Sequence, residues 1–529
     1  MSAPAPATTV AEVLHARIEE LRRPGVLSVR TGFEVKDGWL TGRRAIVVTV
    51  ERKLAVPPPG QELPDELDGI PVDVRQASPA KRQSLEDPAA YASTLPLSPD
   101  QGAVPHFPHE LLLTGPGRPR TVASTPAAVL LAAKPNQPYV PPSGVSLQPV
   151  RGQATIRLSV SPDTGWAALR TFLSDVSQSL TVGIYDFTSR HVLDAVTAAT
   201  TGRSLSLVID HPAQNASADQ TDEQTVAELR DVEGATLSQA WALTKLDPLA
   251  TAWTFPYAYH VKVAAKDHRS TWLSSGNWNN SNQPDIDPVD VAADREAARG
   301  GDRDWHVVID DAGISSTFEA YLLNDLRAAQ EHQSPARPPG PPLQPPAPPS
   351  RRTPEYVTFF PQLTVSERMT ITPVLTPDGG DYVGQVKQLI DSARARLYLQ
   401  FQYIEPPPTV TVDSQPFQDL VLAVVGRQGA GVEIKIILSE WQTQGYLEQL
   451  ATLGIDVVHN VKIQNNVHNK GIVADGQRVL VSSQNWSTAG TLQNRDAGVI
   501  IDNATAAGYY QQVFLHDWAN LSTQRAAAD

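Results

Sequence analysis

Two stretches of this 529-residue chain, YHVKVAAKDHRSTWLSSGNWNNS at 259–281 and VHNKGIVADGQRVLVSSQNWSTA at 467–489, present the same reactive side chains in the same order. His260 and His468, Lys262 and Lys470, Asp267 and Asp475, Ser275 and Ser483, and Asn277 and Asn485 all stand 208 residues apart (468 − 260, 475 − 267, 485 − 277). Trp278 and Trp486 keep the same offset and read as strand-end packing residues. A single His-x-Lys pair is ordinary on a surface strand. A full set in two copies is not, because burying lysines merely to fill a core is costly. Imidazole, ammonium, hydroxyl and carboxamide together suit a phosphodiester, which needs a nucleophile for phosphorus, donors for its non-bridging oxygens and an acid for the departing oxygen.

Downstream, DRDWHVVID (302–310) and NRDAGVIID (494–502) match at Arg303 with Arg495 and Asp304 with Asp496. The first half carries an extra segment, QPDIDPVDVAADREAARGGD, which reads as acidic and irregular. His268 and His306 lie near His260 in sequence, but no His-Glu-x-x-His or carboxylate set of ligand spacing accompanies them, so no metal site is expected.

These groups need elements that aim them at one point. Residues two apart on a strand share a face, so His260 with Lys262 and His468 with Lys470 are expected to project together. A turn at Asp267-His268 or Asp475-Gly476 returns the chain as STWLSSGNW or RVLVSSQNW, which brings serine and asparagine alongside. The surroundings repeat as well. SVSPDTGW (159–166) parallels VLTPDGGD (374–381), and each precedes an amphipathic helix pattern and an apolar strand, LTVGIYDF or ARLYLQFQYI. A helix and a short buried strand follow in both, SLSLVID (204–210) or VEIKIIL (432–438). Strands alternating with helices imply an α/β layer architecture, with Tyr185, Gln402 and Tyr403 flanking the cleft.

The duplicated motifs, residues 259–281 with 302–304 and 467–489 with 494–496, resemble those of the phospholipase D superfamily, and the flanking repeat carries the resemblance over residues 150–527. The resemblance implies two pseudo-symmetric α/β sandwich lobes, their mixed sheets facing each other and both motifs meeting at a central cleft. It implies catalysis by His260, Lys262, His468, Lys470, Asn277, Asn485, Asp304 and Asp496. One histidine attacks phosphorus to give a phosphohistidine; the other protonates the leaving alcohol and then activates water. His260 is taken as the nucleophile, with the reverse assignment open. Lys262, Lys470, Asn277 and Asn485 hold phosphate oxygens. Asp304 and Asp496 fix the tautomer of a histidine, as the carboxylate of a Ser-His-Asp triad does. Asp267, Asp475, Ser275 and Ser483 are structural members of the motif. The family commonly has Gly-Ser ahead of the asparagine, where this chain has Ser274-Ser275-Gly276 and Ser482-Ser483-Gln484. No metal or organic cofactor is implied, and a monomer carries both histidines.

Composition sets the remaining bounds. The length predicts about three units of roughly 150 residues, and the prolines mark their borders. Residues 1–78 read as a small α+β domain, 79–150 as a Pro/Ser/Gly-rich connector with one apolar run at 127–133, 151–333 as the first lobe, 334–354 as a Pro-rich spacer and 355–529 as the second lobe. The first domain resembles an N-terminal module of bacterial multidomain proteins, to which no chemistry attaches. There is no cysteine, which excludes disulfides and thiolate chemistry. No signal-peptide pattern and no long apolar span is present, so a cytoplasmic location is expected. The net charge of −14 disfavours anionic partners on average, although a local basic groove can still bind them. The first choice of substrate is a phospholipid, hydrolysed to phosphatidic acid and a head-group alcohol. A metal-independent nuclease of the same superfamily is the second choice, and an inactive sensor or binding protein the third.

Overall fold

The computed structural model describes residues 9–54, 56–88, 91, 105, 107, 109–113, 120–121, 136–210, 219–244, 251–286, 292–333, 359–378, 381–407 and 409–527. The apolar run 127–133 and the Pro-rich stretch 334–354 lie outside them. Among the described residues no helix is long and apolar enough to cross a membrane.

The N-terminal region forms a sheet of β1 (Val26–Lys36), β2 (Trp39–Val50), β3 (Glu66–Leu67), β4 (Ile70–Gln76), β5 (Leu111–Leu112) and β6 (Arg120–Thr121), in the order β3-β4-β2-β1-β5-β6. The sheet thus draws on strands beyond residue 78. Asp37 and Gly38, both at positive φ, close the β1–β2 hairpin. A helix at Val10–Arg17, begun by a capping box between Thr9 and Glu12, lays Val13 and Leu14 on Val29, Ile46 and Val48. This region docks on the C-terminal half. Phe33, Trp39 and Leu40 belong to that half's apolar core. Arg30 and Arg75 both pair with Glu448, which is 1% exposed, Arg75 at 2.5 Å.

The rest of the chain builds one sheet from two similar halves. The first half supplies β7 (Val150–Ser161), β8 (Ser179–Ile184), β9 (Ser204–Ile209), β10 (Leu237–Trp241), β11 (Lys262–Lys266), β12 (Ser270–Ser274) and β13 (Asp304–Asp310). The second supplies β14 (Leu363–Thr376), β15 (Arg396–Phe401), β16 (Glu433–Leu438), β17 (Val461–Ile463), β18 (Lys470–Ala474), β19 (Arg478–Ser482) and β20 (Asp496–Asp502). Their order is β10-β9-β8-β11-β12-β13-β7, continued by β14-β20-β19-β18-β15-β16-β17. The second list mirrors the first strand for strand, so a pseudo-twofold axis passes between β7 and β14.

The sequence led us to expect two separate sheets face to face. Instead β7 and β14 pair antiparallel from Leu158–Leu363 to Val150–Ile371 and join the halves into one 14-stranded sheet. Each of these long strands would otherwise present an unpaired edge. The halves also face each other, because β12 and β13 pack against β18, β19 and β20. Val160, Leu273, Trp305 and Val307 of one half share a core with Val473, Val479, Val481 and Val499 of the other. The approach is close enough to require glycine: a Cβ on Gly471 would lie 2.4 Å from the Trp305 ring. The last helix of each half, Ala312–Glu331 or Ala504–Asn520, also packs into this shared core, while the earlier helices cover the outer faces. Within the extra segment of the first half, Ala292–Arg299 is helical, not irregular. Its alanine, glutamate and arginine content favours helix although it lacks a broad apolar stripe.

Candidate active site

Both His-x-Lys segments run into the same kind of hairpin. Lys262 and Lys470 are the first residues of β11 and β18, and the histidines stand just before the strands instead of within them. Positive φ at Asp267 and His268, and at Asp475 and Gly476, closes the return to β12 and β19. Asp267 faces away from the histidines and accepts from the backbone N–H groups of Ser177, Gln178 and Ser179. Asp475 accepts likewise from Arg394, Ala395 and Arg396. These two carboxylates lock the hairpin tips to the start of β8 and β15. We expect Asp475→Ala to cost about 2 kcal/mol in urea unfolding and to leave kcat of the folded fraction within a factor of about two, since no reacting group moves. An unchanged unfolding midpoint with lost kcat would contradict this role.

The two halves exchange their carboxylates. His260 Nδ1 lies 2.8 Å from Asp496, and His468 Nδ1 lies 3.0 Å from Asp304. Each His–Asp pair is therefore built from both halves. Their proximity follows from two single β-bridges that cross the axis, Tyr259 with Arg495 and Arg303 with Val467. Ser275 donates to Asp304 at 2.6 Å and Ser483 to Asp496 at 2.5 Å, so both serines hold carboxylates. The two imidazole rings are 6.4 Å apart. That gap is one a single phosphoryl group can span.

Lys262 and Lys470 are both fully buried, and each donates to the backbone carbonyl of its own histidine, Lys262 at 2.5 Å. Burial, and for Lys262 the repulsion of the other ammonium, pushes both lysines down, Lys470 to about 7. Burial and the neighbouring lysines hold His260 well below the ordinary imidazole value and His468 at about 4. Burial opposes ionisation of Asp304, yet His468 and Lys470 keep its carboxyl below the usual range. Both imidazoles are thus neutral at neutral pH, and one of them is free to act as a nucleophile. A phosphodiester anion between the lysines would offset the repulsion and favour a protonated second histidine. Asn277 and Asn485 are mostly buried, and each has a side-chain oxygen without a protein partner.

A pH dependence follows from Lys470. It is cationic below pH 7 and neutral above, so kcat/KM on bis-p-nitrophenyl phosphate, whose leaving group needs little protonation, should fall by about tenfold per unit above that pH. A profile flat to pH 9 would count against Lys470 as a phosphate ligand.

The remaining residues sort clearly. Tyr185 packs edge-on against His260, ring centres 5.0 Å apart, with the Lys262 ammonium over its face. Gln402 occupies the matching place in the second half, after β15, and Tyr403 next to it is buried. Trp278 and Trp486 are fully buried and bridge Phe187 and Ile404. His268 is largely exposed against Glu319, whereas His306 is buried between Ser161 and Ser274. Among the described residues no group of three or more His, Cys, Asp or Glu is placed to hold a metal.

Sequence reasoning missed Asn282, whose amide bridges Asp302 and Asp304 at 2.9 and 2.8 Å. It also missed the partners of the two matched arginines. Arg303 binds Asp163 and Asp517, and Arg495 binds Asp378 and Asp325. A signal existed: Asp325 and Asp517 are as far apart as Arg303 and Arg495 (517 − 325 = 495 − 303 = 192).

Residues 386–518 match the family model described as cardiolipin synthase, PLD-like domain. Over 131 residues the chain is 29% identical to the mitochondrial cardiolipin hydrolase of Xenopus tropicalis, which covers 24% of this chain and 62% of that protein. Over 155 residues it is 26% identical to a phospholipase D of Rickettsia bellii, covering 28% of this chain and 69% of that one. The match thus spans less than two thirds of the cardiolipin hydrolase. Among solved structures, phosphatidylserine synthase of Haemophilus influenzae aligns with 69% of this chain and 87% of its own at 11% identity and a TM-score of 0.45. A phospholipase D family member, Nuc from Salmonella typhimurium, aligns with 29% of this chain and 96% of its own at 19% identity and a TM-score of 0.24.

Proposed function

We propose that this chain, whose residues 386–518 match the PLD-like family model and resemble a cardiolipin hydrolase and a phospholipase D, is a phosphodiesterase of phospholipase D type that hydrolyses phospholipids to phosphatidic acid and a head-group alcohol through a phosphohistidine. One observation carries the reading: two imidazole rings lie 6.4 Å apart, each with its Nδ1 on a carboxylate from the opposite half.

With Nδ1–H donated to Asp496, His260 presents a lone pair on Nε2. That nitrogen attacks phosphorus as the bond to the head-group oxygen breaks, and His468, protonated on Nε2, gives its proton to the departing alcohol. Neutral His468 then takes a proton from water. The hydroxide so formed displaces His260 from phosphorus, and both imidazoles return to their starting states. Lys262, Lys470 and the amide nitrogens of Asn277 and Asn485 bind the non-bridging oxygens. Removing one such donor typically costs about 3 kcal/mol of barrier stabilisation. Asp304 and Asp496 position the rings and do not touch substrate.

Phospholipid is preferred over nucleic acid because the relatives named above are a cardiolipin hydrolase and a phospholipase D, and because the net charge of −14 repels a polyanion. The test offers phosphatidylcholine vesicles, cardiolipin vesicles and single-stranded DNA in EDTA at rising salt. Head-group release that tolerates salt supports the proposal. Preferential DNA cleavage that weakens steeply with salt would replace it with a nuclease, and inactivity on all substrates with retained binding would make the chain a binding protein.

A further inference from the structure

We infer that Arg303 and Arg495 are positioning residues, each holding one His–Asp pair in register across the pseudo-twofold axis. The inference deepens the proposed reaction and rests on its assignment of the two histidines.

The two arginines sit immediately before Asp304 and Asp496 and are at most 2% exposed. Their contacts agree atom by atom. Arg303 grips Asp517 with Nε at 2.9 Å and Nη2 at 3.1 Å; Arg495 grips Asp325 with Nε at 2.8 Å and Nη2 at 3.2 Å. Nη1 of Arg303 reaches Asp163 at 2.7 Å and the carbonyl of Ser161 at 2.8 Å. Nη1 of Arg495 reaches Asp378 at 2.6 Å and the carbonyl of Thr376 at 3.2 Å. Ser161 and Thr376 are the register partners of Asp304 and Asp496 in the sheet. Asp517 and Asp325 stand on the last helix of the opposite half.

Each fork therefore ties three things together: the strand that carries the carboxylate, its neighbour in the same half, and a helix of the other half. The backbone of the same arginine meets the segment of the opposite histidine. The carbonyl of Arg303 accepts from the N–H of His468 at 3.1 Å, and the N–H of Arg495 donates to the carbonyl of Ala258 at 3.0 Å. A planar guanidinium bound on two edges fixes direction as well as distance. Loosening it lets the carboxylate slide relative to the ring that it orients, and small misplacements at a reacting centre are expensive.

The two forks serve different steps. Arg303 orients His468, which protonates the leaving oxygen; Arg495 orients His260, which attacks. The test compares Asp517→Asn and Asp325→Asn on bis-p-nitrophenyl phosphate, whose leaving group needs little protonation, and on an alkyl ester, whose leaving group needs it. Asp517→Asn should lose about tenfold or more in kcat on the alkyl ester with KM retained and much less on the aryl ester, while Asp325→Asn should lose similarly on both. A reversal of that pattern would keep the forks and exchange the histidine roles. Equal behaviour of two folded variants on both esters would overturn the inference.

Ring-proton NMR separates this outcome from failure of the proposed reaction. The Nδ1–H resonance of His468 alone should move in Asp517→Asn, and that of His260 alone in Asp325→Asn, even if the wild type cleaves neither ester. Resonances unmoved in both variants would also overturn the inference. Should an asparagine variant fail to fold, Arg303→Lys and Arg495→Lys, which keep the charge but not the fork, are read in the same way.

Discussion

His260→Ala should lower turnover of bis-p-nitrophenyl phosphate by a factor of about 10⁴ or more, because it removes the proposed nucleophile. The lysines and asparagines would still bind the diester, so KM should change little. His468→Ala removes the acid instead. Its loss on the aryl diester should be smaller, at about 10²-fold, and should grow toward the His260→Ala value on an alkyl ester that needs protonation. Activity retained in His260→Ala with the protein folded would end the case for a nucleophile at that position.

Asp496→Asn should be nearly as damaging, at about 10⁴-fold in kcat, with the thermal transition retained. Asp496 accepts from His260 Nδ1 at 2.8 Å and from Ser483 at 2.5 Å. A carboxylate can only accept, so it fixes the proton on Nδ1 and leaves Nε2 bare. An asparagine can turn its NH₂ toward the ring and move the proton to Nε2, the atom that must attack. The substitution is nearly isosteric in a fully buried place, so loss of folding would point to a structural role instead. The crossing of the halves adds a specific consequence: the damage should appear at His260, 236 residues away in sequence, and leave the His468–Asp304 pair intact.

Which residues gather at the candidate site was legible because duplication made it so. The 208-residue offset singled out the histidines, lysines and asparagines, and the α/β alternation around them fixed the class of fold. Which carboxylate serves which histidine was not legible. Asp304 follows His260 in sequence and Asp496 follows His468, and only the symmetry axis, created when β7 pairs with β14, exchanges them. Edge pairing between two long strands carries no local signature, so the single sheet was missed for the same reason. The buried forks escaped although Asp163 and Asp378 fall in the matched segments SVSPDTGW and VLTPDGGD, because Asp325 and Asp517 stand on the last helix of each half, where no motif marks them. The N-terminal region read as a separate module, since its contacts through Arg30, Arg75 and Trp39 depend on a surface formed by residues more than 350 positions later, such as Glu448 (448 − 75 = 373).

Mass spectrometry of His468→Asn exposed to bis-p-nitrophenyl phosphate is the most direct measurement. In this variant His260 can still attack phosphorus, because p-nitrophenolate leaves without an acid, but the base that would activate water is gone. The expected result is a stoichiometric burst of p-nitrophenolate and a p-nitrophenyl phosphoryl group on the peptide that contains His260. Neither burst nor adduct from a folded protein, or steady turnover with His260 unmodified, would contradict it.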